Sequence, residues 1–148
     1  MKPLTRAAIL PVGSELLTPF RVDTNSLFIT ETLNALGIDV VMKGVAGDDR
    51  VELAHLFRAA LARADLVVFS GGLAPTDDDV TREVVAATLG RTLAEDLAMT
   101  GRLRARFAAR GYKGPMPESN RRQAMVPEGA VVIENSRGSA PGLWLDEG

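Results

Sequence analysis

Three consecutive aspartates at 77–79 follow two glycines, Gly71 and Gly72, in the segment SGGLAPTDDDVTRE (70–83). A single carboxylate is enough to cap a helix, and adjacent carboxylates repel one another, so one cap leaves two charges unexplained. The glycines let the backbone approach a ligand, and the start of the helix that follows favours a phosphate. Carboxylates and a phosphate can share a site when a cation such as Mg²⁺ lies between them. The segment therefore predicts a metal–phosphate site or a site for a hydroxyl-rich ligand, with a helix cap at one of the last two aspartates as the alternative.

Two further stretches combine small residues with carboxylates. Glu15 comes directly after an apolar run and could act as a general base or a metal ligand, or could be merely solvated. Asp23 precedes a predicted helix, and capping is the favoured explanation for it. Asp48 and Asp49 precede another predicted helix, and a cap accounts for one of the two.

Basic residues form a stripe in the second half of the chain. Arg102, Arg106 and Arg110 recur at every fourth position of a predicted helix, which is most often a solvated helix face. No aromatic residues alternate with them, and the net charge of the chain is −2. These features predict no nucleic-acid partner.

Two other loops carry groups that could recognise an anion. Arg121 and Arg122 follow Asn120, and adjacent guanidinium and amide groups suit a phosphate or a nucleobase edge. The segment NSRGSAPG (135–142) offers the hydroxyl of Ser139 between two glycines, whose backbone amides could face an anion. A plain turn is the alternative for this second loop.

These stretches need a scaffold, and the apolar pattern predicts one. Short apolar runs predict strands and periodic segments predict helices, in the order strand 7–12, helix 23–37, strand 38–45, helix 48–64, strand 65–70 and helix 80–90. Such a β-α-β alternation is typical of a parallel sheet covered by helices. Ligands bind at the carboxyl ends of the strands of such a sheet, which is where the loops with carboxylates follow.

The rest of the chain continues the mixed α/β pattern. It predicts a helix at 94–111, one helical turn at NRRQAM, and strands at 130–135 and from 142. A chain of 148 residues suits one domain. Its last residues stop where the partner of a hairpin is expected, which predicts a domain truncated at its C-terminal end.

Composition excludes several classes of site. The chain has no cysteine and one histidine, which excludes disulfides, thiolate zinc sites and cysteine nucleophiles and leaves little for a histidine triad. No segment approaches the roughly 18–20 apolar residues of a membrane span. We therefore expect a cytoplasmic protein that does not bind a membrane.

The motifs named above resemble those of a known family. In their order and spacing they are similar to motifs of the N-terminal domain of the CinA (competence/damage-inducible) family. They are GSELL with DTN, GDD, SGGLAPTDDDVTRE, NRRQA.VPEGA and N..GSAPG. That family belongs to the molybdenum-cofactor biosynthesis superfamily with MogA, MoaB and gephyrin domains. The resemblance covers essentially the whole chain, 1–148. It implies a three-layer α/β sandwich with a mostly parallel central sheet. Full-length members of the family commonly add a C-terminal deamidase domain, which 148 residues are too few to contain.

Two positions depart from the family pattern. Ala74 stands where the family has a glycine, and an alanine would be strained there if the position needs positive φ. Arg122 stands where the family has a lysine, which keeps the charge but changes its geometry.

The resemblance implies a metal-dependent nucleotide pyrophosphatase that hydrolyses ADP-ribose to AMP and ribose 5-phosphate. The alternative is a non-hydrolytic domain that binds molybdopterin or a related pterin. The expected cofactor is a divalent cation, Mg²⁺, Mn²⁺ or Co²⁺, which a monovalent ion could accompany; haem, flavin and NAD are not expected. The expected partner is a small nucleotide or pterin, and the chain could form a homo-oligomer.

Each motif contributes residues to this hypothesis. The catalytic candidates are Asp78, Asp79, Glu15 and Arg122, the last as a charge stabiliser of the transition state, and the metal candidates are Asp78, Asp79 and Glu15. The ligand-binding candidates are Gly71, Gly72, Thr76, Thr81, Asp23, Asn25, Asp49, Asn120 and Ser139.

Overall fold

The computed structural model of the protein describes residues 3–147. The chain divides into two compact units, Met1–Gly72 and Leu73–Gly148. The first unit contains the elements β1 (Arg6–Pro11), α1 (Thr24–Ala35), β2 (Asp39–Lys43), α2 (Arg50–Leu61) and β3 (Leu66–Ser70), with a short 3-10 turn at Ser14–Leu17.

A parallel sheet with the order β2-β1-β3 forms the centre of the first unit. The central strand β1 is buried over five of its six residues, because helices cover both of its faces. Ile9 of β1 packs with Leu33 of α1 on one face. On the other face Phe57 of α2 meets Phe69 of β3 edge to face at 4.9 Å. The predicted order of strands and helices in this unit is confirmed.

The second unit contains α3 (Thr81–Thr88), β4 (Leu93–Glu95), α4 (Leu97–Ala109), α5 (Glu118–Arg121), β5 (Met125–Pro127), β6 (Val131–Ile133) and β7 (Gly142–Trp144). A 3-10 turn at Arg122–Ala124 joins α5 to β5. The strands form two antiparallel pairs, β4 with β5 and β6 with β7. A small core packs Met99 and Leu103 of α4 against Ala124.

The second unit differs from the prediction at the start of α4. The predicted helix 94–111 begins instead with the strand β4, and the helix starts only after Asp96, whose carboxylate accepts a hydrogen bond from Met99 N at 2.7 Å. The Asp96 amide donates to Ala124 O at 2.8 Å, which continues the pairing with β5. A strand of three residues is too short to show a two-residue periodicity in the sequence. None of the helices within residues 3–147 is long and apolar enough to cross a membrane.

Candidate functional site

The aspartate loop, defined here as residues 73–79 of the second unit, is folded by its own side chains. The amide and the hydroxyl of Thr76 both donate to Oδ2 of Asp79, and the Asp79 amide donates back to Thr76 O at 3.1 Å. The following helix α3 has Val80 at its N-cap position and no side-chain cap. The alternative that Asp78 or Asp79 caps α3 is therefore wrong, because the Asp79 carboxylate closes a turn before the helix begins.

Arg122 holds the aspartate loop from the junction of α5 and the 3-10 turn. One of its terminal nitrogens donates to Thr76 O at 3.3 Å and to Asp77 Oδ1 at 2.8 Å, and the other donates to Glu83 Oε1 at 3.0 Å. The hydrogen bond to Glu83 raises the pKa of Arg122, while its partial burial acts in the opposite direction. Arg122 is thus paired with two carboxylates and a carbonyl, and its role as a charge stabiliser stays a prediction.

The remaining candidates of the loop differ in accessibility. Asp78 is exposed, and it makes no hydrogen bond or ion pair with any residue in 3–147. Thr76 is exposed as well, whereas Thr81 is 3% exposed at the start of α3. Asp78 is the carboxylate of this loop most available to a ligand.

Ala74 adopts an ordinary backbone conformation. Among residues 3–147, positive φ occurs at glycines alone. The strain expected for an alanine at a glycine position of the family is therefore absent, because this loop does not need positive φ at residue 74.

The loop 135–142 is held in place by three side chains of the second unit. The Asn135 carboxamide oxygen accepts from the amides of Arg137 and Gly138, both at 3.0 Å. Arg106 of α4 donates to Gly138 O at 2.6 Å, and Gln123 donates to the Ser139 hydroxyl at 3.2 Å. The interpretation of the arginine stripe as a purely solvated face is wrong for Arg106, which is half-buried and anchors this loop.

Arg121 and Arg122 are adjacent in sequence but serve different partners. Arg121 donates to Glu95 Oε2 at 2.6 Å, and the Thr100 hydroxyl donates to Oε1 of the same carboxylate at 2.7 Å. These two hydrogen bonds, the one from Arg121 above all, lower the pKa of Glu95 to about 2. Asn120 is half-buried on α5.

In the first unit the three loops after the parallel strands begin at one edge of the sheet, as predicted. Val12, which follows β1, donates its amide to Ser70 O of β3 at 2.8 Å. Gly13 donates to Ala46 O, in the loop after β2, at 2.9 Å. These bonds bring the segments that start at residues 13, 46 and 71 to the carboxyl ends of their strands.

One contact at this edge was not expected from the sequence. The Ser14 hydroxyl donates to Asp48 Oδ2 at 2.5 Å and accepts from the Asp48 amide at 3.2 Å. Asp48 is half-buried, whereas the neighbouring Asp49 caps α2 by accepting from Val51 N and Glu52 N at 2.8 and 2.9 Å. The two adjacent aspartates thus have different roles, and a serine next to the first strand was the available signal.

The other candidates of the first unit lie around the end of β3. Asp23 caps α1 by accepting from Ser26 N at 3.0 Å, which is the explanation favoured from the sequence. Asn25 donates to the Ser70 hydroxyl at 3.3 Å, and so reaches the residue before the glycine pair. Glu15 is exposed in the 3-10 turn. Ligand contacts for these residues stay predictions.

Gly71 is required by its surroundings. Its φ is +108°, and a Cβ added there would lie 2.2 Å from Val12 O. Gly72 also has positive φ, at +71°. The glycine pair therefore lets β3 end against the backbone that follows β1. The approach of this backbone to a ligand, which the sequence predicts, stays a prediction.

Metal ligands are not preassembled in the part of the chain that the structure describes. No group of three or more histidine, aspartate or glutamate side chains is placed there to hold an ion. Asp77 and Asp79 are engaged with Arg122 and Thr76 respectively. The divalent cation expected from the sequence stays a prediction.

Comparisons with known proteins place the chain in a family. A family model described as "Probable molybdopterin binding domain" matches residues 8–145. A CinA-like protein of Acidobacterium capsulatum is 52% identical over 140 residues, an alignment that covers 95% of this chain and 33% of that protein. A CinA-like protein of Solibacter usitatus is 52% identical over 141 residues with the same coverage. The chain thus spans about a third of the length of these curated relatives.

Solved structures show the same fold. The crystal structure of the protein CinA, of unknown function, from Thermoplasma acidophilum is 36% identical with a TM-score of 0.84, covering 95% of this chain and 80% of that one. The tungsten cofactor synthesizing protein MoaB from Pyrococcus furiosus is 19% identical with a TM-score of 0.56, covering 97% and 81%, and supports the fold alone. The predicted α/β fold with a parallel central sheet is confirmed, and the chain belongs to the family of probable molybdopterin binding domains, among its CinA-like members.

Proposed function

We propose that this chain binds a pterin of the molybdopterin class and that the aspartate loop forms part of the site. The observation that carries the proposal is the exposed Asp78 carboxylate, which has no partner within residues 3–147, on a loop whose backbone is held by Arg122. Pterin rings present N–H donors, and ionised carboxylates accept such donors strongly. The match to a molybdopterin-binding family over residues 8–145 supports the same ligand class.

The start of α3 suits the phosphate of such a ligand. The first turn of a helix has amides without intrahelical partners and a partial positive charge. In α3 no side chain caps this end. The pterin ring at Asp78 and a phosphate at the start of α3 would then occupy neighbouring parts of one unit.

An equilibrium titration with molybdopterin tests the proposal. We expect the wild-type protein to bind, and Asp78→Asn to weaken binding about tenfold, because one charge-assisted hydrogen bond is lost. Asp39→Asn is the matched control: Asp39 is exposed at the first position of β2, the end of the sheet opposite to the predicted loops. A wild-type protein that does not bind, or an Asp78→Asn variant that binds equally well, would contradict the proposal.

Hydrolysis of ADP-ribose is the second candidate function. Two neighbouring carboxylates, Asp78 exposed and Asp79 half-buried, favour it, since paired carboxylates serve metal-dependent hydrolases. Within residues 3–147 no three carboxylates are placed to hold a metal ion together. Binding without hydrolysis accounts for the family match more directly.

A product assay separates the two candidates. The protein is incubated with ADP-ribose and Mg²⁺, Mn²⁺ or Co²⁺, and AMP is measured. Formation of AMP that is lost in Asp79→Asn would support the hydrolase. No AMP with any of the three metals, together with tight molybdopterin binding, would leave binding as the function.

A further inference from the structure

Arg82 is a buried cation in the first turn of α3. Arg82 is 1% exposed and is among the largest fully buried side chains within residues 3–147. Its Nη2 donates to Leu73 O at 2.9 Å. Its Nε and Nη1 have no hydrogen-bond partner within residues 3–147. A guanidinium carries five N–H donors, so this one is only partly satisfied.

This arrangement is costly for the folded state. Burial lowers the pKa of Arg82, an effect that Glu83 and Asp79 oppose and that the charge of Arg122 reinforces. A buried guanidinium whose donors lack partners costs desolvation free energy, and an apolar side chain would remove that cost while leaving the Leu73 carbonyl without this donor. Apolar packing alone therefore does not explain an arginine at this position.

The partner of Arg82 suggests what the side chain does. Leu73 is the first residue of the aspartate loop, and its carbonyl is tied to Arg82. Three residues later, Thr76 O is tied to Arg122. The backbone of the segment that leads to the aspartates is thus held at two carbonyls by two arginines from different elements.

We infer that Arg82 is a positioning residue that sets the conformation of the aspartate loop for ligand binding by holding the Leu73 carbonyl. The inference rests on the proposed function for its ligand, but its effect on the loop exists without any ligand. Arg82 acts through the loop backbone, since its own side chain is buried.

The test compares Arg82→Met, Arg82→Lys and the wild type. Methionine keeps an unbranched apolar stem without a donor, and lysine restores a donor for Leu73 O without the planar fork. Arg102→Met is the matched control, because Arg102 lies on α4 and its ion pair with Glu134 is long, at 3.9 Å. Hydrogen–deuterium exchange of the loop amides in the ligand-free protein, the melting temperature and molybdopterin affinity are measured for each variant.

We expect Arg82→Met to speed exchange of the loop amides at least about tenfold, while its melting temperature stays within about 4 °C of the wild type. Molybdopterin affinity should fall about tenfold, as expected for one lost charge-assisted hydrogen bond that orders the site. Arg82→Lys should restore part of the slow loop exchange and part of the molybdopterin affinity. Arg102→Met should change neither the loop exchange nor the affinity.

Unchanged loop exchange in Arg82→Met would overturn the inference whatever the ligand results are. If Arg82→Met does not fold, Arg82→Leu, which also lacks a donor for the Leu73 carbonyl, takes its place, and unchanged loop exchange in that folded variant would overturn the inference. If the wild type fails to bind molybdopterin, the proposed function fails, and faster exchange of the loop still supports the positioning role.

Discussion

Asp79 shows how one carboxylate can belong to a loop without capping the helix beside it. Its Oδ2 accepts from both the amide and the hydroxyl of Thr76, and α3 starts without it. We expect Asp79→Asn to change the free energy of unfolding by less than about 1 kcal/mol, because the amide oxygen still accepts and no cap is lost. Molybdopterin affinity should fall with the lost charge. Chemical denaturation and titration measure the two effects, and a larger loss of stability would show that the carboxylate is mainly structural.

Glu95 provides a pH-dependent contribution to stability. Hydrogen bonds from Arg121 and then Thr100 lower its pKa from 4.5 to about 2. Because the folded pKa lies below the unfolded value, the ionised carboxylate stabilises the fold above about pH 4.5 and this contribution is lost as the pH falls towards 2. Glu95→Gln should therefore weaken the pH dependence of unfolding in that window, whereas Glu134→Gln, on an exposed side chain, should not. Denaturation at a series of pH values decides between these outcomes.

At the residue scale the sequence predicted helix caps correctly, but it did not predict which residues of other elements a side chain would contact. The cap at Asp23 and a cap in the Asp48–Asp49 pair followed from their positions before helices, and both are confirmed. Arg121 and Arg122 looked like one anion-binding pair, yet they face Glu95 and Glu83 respectively. Neighbours in sequence point in different directions on a helical turn, and their partners come from other elements that sequence spacing does not reveal.

The backbone at the end of β3 requires a glycine at residue 71. Gly71→Ala places a Cβ 2.2 Å from Val12 O at φ +108°, so we expect a loss of at least about 2 kcal/mol in the free energy of unfolding. Gly101→Ala is the control, because a Cβ in α4 at that position meets nothing within 4 Å. The control should gain about 0.5–1 kcal/mol from helix propensity. Equal effects of the two substitutions on unfolding would contradict this account of the loop.

At the element scale, periodicity identified the elements that are long and buried. The strands β1, β2 and β3 and the helices α1, α2 and α3 follow the predicted order. The clearest cases are β1, which is buried over five of its six residues, and α2, which buries Leu53, Phe57 and Ala60. The strands β4 and β5 were not predicted, whereas β6 and β7, which are equally short, were. Only Asp96 separates β4 from α4, and β5 directly follows the 3-10 turn, so no loop sets either strand apart in the sequence. Short antiparallel pairs depend on partners distant in sequence, which a local pattern does not contain.

At the scale of the whole molecule, two compact units carry different parts of the predicted site. The first holds the glycine pair and the Ser14–Asp48 contact, and the second holds the aspartate loop and its two arginines. That all these residues line one cleft stays a prediction, as do a cytoplasmic location and a homo-oligomer. The family match over 8–145 spans both units.

Hydrogen–deuterium exchange of the wild-type protein, with and without molybdopterin, tests whether a molybdopterin-class pterin binds at the aspartate loop. Binding should protect the amides of the loop and of the first turn of α3, because the ligand contacts that backbone and orders it. Amides of the last two turns of α2 provide an internal reference. Protection confined to other segments, or no protection at saturating molybdopterin, would contradict the account.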